Sequence, residues 1–263
     1  MSLSKTRFLR WLAAAAALVG GLLLAPSLAA QAPAISGDAA AVKKLVEQKF
    51  PNATVRGVTK SPYLGLFEVL LDEQMLYTDP KVTYVFVGSV YDANTKQNLT
   101  EATMRKLNRV AFDSLPLNLA LKKVKGNGKR KLAVFSDADC PFCAKLEEEL
   151  KGIDNVTIYT FLYPIDQLHR DAARKSRVIW CSPDKVKAWD DFFATGALPD
   201  NKGDCDNPVA ATNALGTKLR VTATPTLVFA DGSLVPGALP AQRLEAELVQ
   251  AEAEAAKLAA AKE

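Results

Sequence analysis

The sequence predicts two mixed domains, an α+β domain followed by an α/β domain, with a helix between them. Three observations support this. One helical pattern followed by short strand patterns occupies residues 38–99, a second helical pattern covers residues 100–115, and strands then alternate with helices. About 230 residues remain once a predicted leader is removed, which fits one large or two small domains. The change of pattern near residue 116 favours two.

The chain begins with a pattern typical of a secretory signal peptide. Lys5, Arg7 and Arg10 precede the apolar run WLAAAAALVGGLLLA, and the small residues of PSLAAQ follow. The run is shorter than the 18 or so residues that a membrane-spanning helix needs. We therefore predict a signal peptide over residues 1–30, with an uncleaved membrane anchor as the alternative.

Export would place the four cysteines in an oxidising compartment, where cysteine pairs tend to form disulfides. The formal net charge of +4 would fall to +1 without the leader, and this value does not predict a polyanionic partner. The basic stretch KKVKGNGKRK, residues 122–131, is interrupted by Gly126 and Gly128. We interpret it as a solvated loop rather than a nucleic-acid patch, so no nucleic-acid partner is expected.

Residues 31–98 are predicted to form the first domain. Apolar positions recur at helical spacing from residue 38 to residue 50, with Asp38 as a candidate N-cap. From Val55 onward, β-branched and aromatic runs alternate with turn residues, which is typical of an antiparallel meander. No catalytic residue is evident there. The domain is either a scaffold or lid, or a module for oligomerisation.

Residues 99–115 are predicted to form a linker helix. Thr100 is the candidate N-cap, apolar residues recur at helical spacing, and Pro116 marks a boundary. The pattern does not distinguish a connector that holds two domains apart from a helix packed into the core of the second domain.

Residues 116–263 are predicted to form the second domain, because strand and helix patterns alternate there. The expected elements are the strand KLAVFSD, a helix from about Cys140, the strand VTIYTFLYP, helices near 171–195 and 207–219, the hairpin TLVFADG to LVPG, and a last helix from about Ala241. A sheet with helices on both faces and a helical insertion follows. This is the layout of a thioredoxin-like fold.

The stretch FSDADCPFC carries the candidate chemistry. Pro141 suits the first turn of a helix, so Cys140 is expected at the helix N-terminus, where free N–H groups and the helix dipole favour a thiolate. Cys143 shares a helical stripe with Leu146 and Leu150 and should face the interior, whereas Cys140 should face out. One exposed sulfur and one sheltered sulfur are what dithiol exchange requires. A purely structural disulfide is the alternative.

A zinc site is not expected. A Cys-x-x-Cys zinc site needs a second close pair of ligands, whereas Cys181 and Cys205 lie far apart in sequence and His169 is the single histidine. No metal or cofactor is predicted.

We interpret Cys181 and Cys205 as a structural disulfide that pins the helical insertion, with free or regulatory thiols as the alternative. His169 is interpreted as a residue on the surface or next to a helix N-cap, with a proton relay as the alternative.

The mature chain resembles the DsbC-type thiol:disulfide interchange proteins of the bacterial periplasm. The resemblance rests on FSDADCPFC, on VIWC with the later CDNP, on TATPTLVFADGSLVPG, and on a small N-terminal domain followed by a helix. It implies a cis Pro225 against the active-site cysteines and a substrate-binding Thr224 beside the nucleophile. It also implies supporting roles for Pro141 and Phe142.

The resemblance further implies a cystatin-like N-terminal domain that pairs two chains into a homodimer with an apolar cleft. The expected partners are misoxidised exported proteins, which are the clients, and a DsbD-type membrane electron donor that keeps the dithiol reduced. The expected function is isomerisation of incorrect disulfides in the periplasm.

Two departures from related families leave alternatives open. The best-known isomerases carry Gly-Tyr between the cysteines, whereas Pro141-Phe142 is closer to the DsbA-type oxidases and the DsbG branch. Val134 occupies the position where thioredoxins carry a buried acid. The alternatives are a DsbG- or DsbA-like thiol oxidase or reductase, and a non-enzymatic holdase chaperone.

Overall fold

The computed structural model describes residues 37–260, so the predicted signal peptide lies outside the described residues. Two mixed domains are present, as the sequence predicts, and the α+β and α/β assignments are confirmed. Within residues 37–260, no helix combines the length and the apolar character needed to cross a membrane.

The N-terminal domain is one helix packed on a four-stranded antiparallel meander in the order β1-β2-β3-β4. Its elements are α1 (Gly37–Lys49), β1 (Val55–Lys60), β2 (Phe67–Leu71), β3 (Gln74–Thr78) and β4 (Val85–Val87). Helix α1 is described from Gly37, so Asp38 lies inside its first turn rather than at the predicted N-cap position.

The sheet of this domain is covered on both faces. Val42 and Val46 of α1 are buried against one face, together with Phe67 and Val69 of β2. Leu70 points to the opposite face, because successive side chains of a strand alternate. Burial on both faces explains why four of the five residues of β2 are apolar, Glu68 being the exception.

The helix between the domains is shorter than predicted. Helix α2 spans Leu99–Leu107, and its N-cap is Asn98, whose side chain accepts a hydrogen bond from the Glu101 N–H. The predicted N-cap, Thr100, instead lies in the first turn, and the predicted helix over residues 108–115 is wrong. Two short 3₁₀ turns, Phe112–Ser114 and Leu117–Leu119, follow.

The early end of α2 has a tertiary cause. The Val110 N–H donates to the carbonyl oxygen of Gly232 in the second domain, at 2.9 Å. This N–H is therefore not available for a helical hydrogen bond, and the helix ends before it. Gly232 has φ +85°, and a Cβ there would lie 2.0 Å from the Val110 carbonyl oxygen. Only glycine fits both the turn and this close approach.

The second domain has a five-stranded mixed sheet in the order β5-β7-β6-β8-β9. The strands are β5 (Leu121–Lys125), β6 (Arg130–Ser136), β7 (Val156–Leu162), β8 (Thr226–Phe229) and β9 (Leu234–Pro236). Strands β6 and β7 are parallel, and the other pairs are antiparallel. The thioredoxin-like arrangement is confirmed.

The solvated-loop prediction for residues 122–131 is wrong at both ends, because residues 122–125 pair with β7 and residues 130–131 begin β6.

Helices cover both faces of this sheet. They are α3 (Pro141–Lys151), α4 (Ala172–Trp180), α5 (Lys185–Thr195), α6 (Val209–Lys218) and α7 (Ala241–Ala260). In β6, Leu132 and Val134 pack with residues of α3 and α7, whereas Ala133 and Phe135 pack on the opposite face. The central strand is therefore buried on both sides, as expected for a strand flanked by helices.

Helix α2 contacts both domains. The hydroxyl group of Thr100 hydrogen-bonds to that of Tyr77 in β3, and Met104 packs against the same face of the sheet. On its other side, Arg105 donates two hydrogen bonds to Glu247 of α7, at 2.8 and 2.9 Å. The helix is therefore neither a free connector nor part of the second core, because it packs on the first domain and is ion-paired to the second.

The helical insertion is crosslinked. Cys181, at the C-cap of α4, and Cys205, in the loop before α6, form a disulfide with an S–S distance of 2.02 Å. Their Cα atoms lie 5.7 Å apart and they are 24 positions apart in sequence. The bond fastens the end of α4 to the loop that follows α5.

We predict that replacing Cys181 and Cys205 together by alanine lowers the free energy of unfolding by about 2–4 kcal/mol, because the crosslink no longer restricts the unfolded chain. Urea denaturation of the two proteins measures the difference. The single variant Cys181→Ala should lose as much as the double variant, since either change opens the loop. Equal denaturation midpoints for wild type and double variant would contradict the prediction.

Candidate active site

The sheet brings two distant segments to one place. Strands β6 and β8 pair antiparallel, with Phe135 opposite Thr226, so the end of β6 lies beside the start of β8. The loop after β6 carries Cys140, and the residues just before β8 are Thr224 and Pro225. The Thr224–Pro225 peptide bond is cis. The Cys140 Sγ donates a hydrogen bond to the Thr224 carbonyl oxygen at 3.3 Å.

The two cysteines of FSDADCPFC lie at the start of α3 as free thiols. Cys140 is the N-cap residue and Pro141 occupies the first helical turn, which confirms the predicted local geometry. Cys143 is fully buried, as expected. Cys140 is 5 % exposed, so the prediction that it faces out is wrong, because the cis-proline loop covers its sulfur. Phe142 between them is 62 % exposed.

The loop that carries Cys140 is organised by Asp137, whose side chain is fully buried. The backbone N–H of Asp137 donates to the Sγ of Cys143 at 3.4 Å, and its carbonyl oxygen accepts the N–H of Cys140 at 3.2 Å. Its Oδ1 accepts the N–H of Asp139 at 2.8 Å. Both cysteines are thus hydrogen-bonded to the backbone of this one residue.

The second carboxylate oxygen of Asp137 reaches a different part of the chain. Oδ2 accepts the N–H of Ile165 at 2.8 Å and lies 3.0 Å from Nδ1 of His169. The side chain of His169 is 21 % exposed. The interpretation of His169 as a surface residue is therefore only partly right, because its ring contacts a buried acid.

The environment of Cys143 disfavours its thiolate. Burial raises the pKa of the Cys143 thiol well above its ordinary value, while the Ser136 hydroxyl and the Asp137 N–H oppose the rise. Burial therefore favours the thiol form of Cys143 over its thiolate.

A second buried acid lies one turn beyond Cys143. The side chain of Glu147 in α3 is half-buried. Its carboxylate accepts a hydrogen bond from the indole N–H of Trp189 in α5 at 2.9 Å. Burial raises the pKa of Glu147 to about 7, and Trp189 and Lys123 oppose the rise. Val134, by contrast, is part of the apolar core.

A cavity of about 610 Å³ is lined by residues of both domains. Thr222 and Thr226 flank it near the cis-proline loop, and Pro236 of β9 forms part of its apolar wall. The N-terminal domain contributes Arg56 and Glu73, and Glu73 lies 3.5 Å from Arg220 of the second domain. Within residues 37–260, no cluster of His, Cys, Asp and Glu side chains has the makings of a metal site.

The two halves of the chain match separate family models. Residues 117–252 match a thioredoxin-like domain, and residues 31–101 match the disulfide bond isomerase protein N-terminal domain. A probable thiol:disulfide interchange protein DsbC of Bordetella parapertussis is 46 % identical over 219 residues, covering 83 % of this chain and 76 % of the relative. The chain belongs to the DsbC family.

Two further proteins are similar to this chain. The thiol:disulfide interchange protein DsbC of Escherichia coli K12 is 28 % identical, over 81 % of this chain and 89 % of that protein. The crystal structure of a disulfide interchange protein from Neisseria gonorrhoeae is 47 % identical with a TM-score of 0.51, covering 52 % of this chain and 98 % of that one. The chain is thus an enzyme of thiol:disulfide interchange, with a DsbC-type N-terminal domain.

Sequence reasoning missed two acids of this DsbC-family site. Asp137 lies directly after a buried strand and two positions before the residue whose N–H it accepts, and this pattern could have indicated a turn-forming aspartate. Glu147 gave no comparable signal, because its burial depends on Trp189, 42 positions further along the chain.

We predict that Glu147 makes the stability of this DsbC-family protein pH-dependent. The folded-state pKa of about 7 lies above the reference value of 4.5, so the folded protein binds more protons than the unfolded chain between these pH values. The free energy of unfolding should therefore fall as pH rises through this window, by up to about 3 kcal/mol.

Denaturation of wild type and Glu147→Gln across this pH range measures the effect. The variant keeps an acceptor for the Trp189 N–H but cannot ionise, so its stability should lack this component of the fall. Glu148→Gln is the matched control, because Glu148 is the next residue and is exposed. An unchanged pH profile in Glu147→Gln would contradict the prediction.

Proposed function

We propose that this protein isomerises incorrect disulfides in exported proteins through Cys140 and Cys143. The observation that carries the proposal is the placement of two free thiols at the start of α3 beneath the Thr224–Pro225 loop, in a chain whose N-terminal domain is of the isomerase type. Cys140 retains a small accessible surface and Cys143 has none, which supports Cys140 as the nucleophile.

The reaction proceeds by exchange of one S–S bond for another. The Cys140 thiolate attacks a sulfur of the client disulfide, the client S–S bond breaks, and a mixed disulfide forms while a client thiolate leaves. That thiolate attacks another client disulfide and frees a different client thiolate. The freed thiolate attacks the client sulfur of the mixed disulfide, so a new client S–S bond forms, the bond to Cys140 breaks and the Cys140 thiolate leaves. The client is neither oxidised nor reduced overall. Cys143 attacks Cys140 when the mixed disulfide persists, and this releases a reduced client.

The cis-proline loop supports client binding in the proposal. The Thr224 carbonyl oxygen occupies the position beside the Cys140 sulfur, so an extended client segment would lie along this loop. Pro141 and Phe142 are exposed next to it, and Phe142 offers an apolar contact to an unfolded segment. The proposed supporting residues are therefore Pro141, Phe142, Thr224 and Pro225.

We further propose that two chains pair through β4. This strand is an edge of the N-terminal sheet, and each of its residues is exposed although all three are apolar. Tyr84, immediately before it, is 69 % exposed. An exposed apolar edge strand favours pairing with a second strand, and a second copy would supply an identical edge.

The remaining parts of the proposal rest on the leader-like N-terminus and on family membership. A cleaved leader would deliver the protein to the periplasm, where misoxidised exported proteins are its clients. A DsbD-type membrane electron donor would keep Cys140 and Cys143 reduced. A net oxidase is the second candidate function, because Pro141-Phe142 differs from the Gly-Tyr of typical isomerases.

We predict opposite effects for the two cysteine variants. Cys140→Ser should abolish refolding of a scrambled multi-disulfide protein by the reduced mature chain, because no nucleophile remains. Cys143→Ser should accumulate mixed disulfides with the client, because the escape step is lost. Refolding yield and non-reducing electrophoresis measure the two outcomes.

Direct oxidation of a reduced client, run in parallel, tests the oxidase alternative. Rapid oxidation without unscrambling would favour the oxidase. Protection of a client against aggregation that survives loss of both cysteines, with no unscrambling by wild type, would favour the holdase. Preferential alkylation of Cys143 in the reduced protein would reverse the two assigned roles.

We predict that Phe86→Asp converts a dimer into a monomer, because a buried charge at a paired edge strand is unfavourable. Sedimentation should give twice the chain mass for wild type and one chain mass for the variant. The monomer should keep simple thiol exchange and lose unscrambling, since one catalytic domain cannot enclose a client. Leu64→Asp is the matched control, because Leu64 is a 92 % exposed apolar residue outside β4. A monomeric wild type that unscrambles efficiently would contradict the prediction.

A further inference from the structure

His169 is the single histidine of the chain, and its ring contacts the buried carboxylate of the active-site loop. Asp137 Oδ1 accepts one backbone N–H, from Asp139, and Oδ2 accepts another, from Ile165. Across residues 37–260, the imidazole of His169 is the only side chain within hydrogen-bond distance of this carboxylate. The ring therefore supplies the one side-chain donor available to a buried anion.

The other charged groups near this site are engaged elsewhere. Lys175 of α4 forms an ion pair with Asp139 and lies 3.8 Å from Asp171. Asp171 is itself paired with Arg174. The carboxylate of Asp137 is thus hydrogen-bonded to His169 and backbone N–H groups rather than paired with one of these charged side chains.

The side-chain contacts of Asp137 affect Cys143 through the Asp137 backbone N–H. Its backbone N–H is a donor to the Cys143 sulfur, and a donor aimed at a sulfur favours the thiolate. A carboxylate held by three donors fixes the loop, and therefore the direction of this N–H. Without His169, Oδ2 keeps one donor, from Ile165, and the loop that directs this N–H is held by fewer hydrogen bonds.

We propose that His169 is a positioning residue that acts through Asp137 to promote attack by Cys143 on the mixed disulfide. This inference rests on the roles proposed above for Cys140 and Cys143.

In the step concerned, the Cys143 thiol loses its proton to solvent and its thiolate attacks the Cys140 sulfur of the mixed disulfide. The Cys140–client S–S bond breaks and the Cys140–Cys143 S–S bond forms. The client sulfur leaves with the electron pair and takes a proton from solvent. Over formation and resolution of the mixed disulfide together, the cysteine pair is oxidised by two electrons and the client disulfide is reduced by two.

The expected size of the effect follows from thiol chemistry. Loss of a donor to the thiolate lowers the thiolate fraction of Cys143, and the greater nucleophilicity of a more basic thiolate offsets part of that loss. A tenfold smaller thiolate fraction, offset about threefold in this way, slows attack by about threefold, and this is the effect expected on the Cys143 step when the His169 donor is lost. Attack by Cys140 should not change, because Asp137 contacts only the backbone N–H of Cys140, whereas the Cys140 sulfur contacts the Thr224 carbonyl oxygen.

The test uses the reduced mature chain and oxidised glutathione as the disulfide probe. Rapid quench with alkylation measures two steps separately. Formation of the Cys140–glutathione mixed disulfide is followed in a Cys143→Ser background. Release of the second glutathione is followed in the protein that has both cysteines. His169→Ala removes the donor, whereas His169→Asn retains a neutral N–H near the position of Nδ1. Arg170→Ala is the matched control, because Arg170 is the neighbouring residue and is exposed.

We expect His169→Ala to slow the second step by about threefold and leave the first unchanged, and His169→Asn to restore most of the second rate. An unchanged second step in His169→Ala overturns the inference. Equal slowing of both steps, with no rescue by His169→Asn, also overturns it and indicates a general loss of structure. If wild type forms no mixed disulfide at Cys140, the proposed function fails; if wild type completes both steps and His169→Ala matches it, only this inference fails.

Discussion

The buried carboxylate of Asp137 is the interaction on which the site depends. An ionised side chain that is fully removed from water is stable only when its oxygens are hydrogen-bonded, and here they meet two backbone N–H groups and an imidazole. Those partners come from the loop before α3 and from the segment after β7. The carboxylate thereby joins two loops at the carboxyl ends of the parallel strands β6 and β7, and the backbone of the same residue holds both cysteines.

Local patterns explain which parts of the molecule could be predicted from the sequence. Strand β6 is followed within five residues by Cys140 and Pro141, and a proline in the first helical turn needs no tertiary information to be interpreted. The meander of the first domain was predictable for the same reason, since turn residues separate its short apolar runs. The cis Thr224–Pro225 bond was expected only through the resemblance to a family.

The predictions that were wrong concern contacts between distant residues. Cys140 is covered by Thr224, 84 positions away, so its exposure could not follow from its place at a helix N-terminus. His169 lies 32 positions from Asp137, and neither residue type nor spacing indicates their contact. Helix α2 stops at Leu107 because the next residues dock on the turn at Gly232, although the apolar spacing continues.

The contacts of α2 also make the number of its residues a structural constraint. Thr100 meets the first domain and Arg105 meets the second, and a helix turns by about 100° per residue. The separation of five residues thus places the two side chains about 140° apart around the helix axis, after one full turn. Inserting or deleting a single residue between them would rotate the Arg105 guanidinium away from Glu247 while every side chain kept its chemistry. This helix can therefore accommodate substitutions far more readily than changes of length. The number of residues between Thr100 and Arg105 sets the orientation of one domain relative to the other.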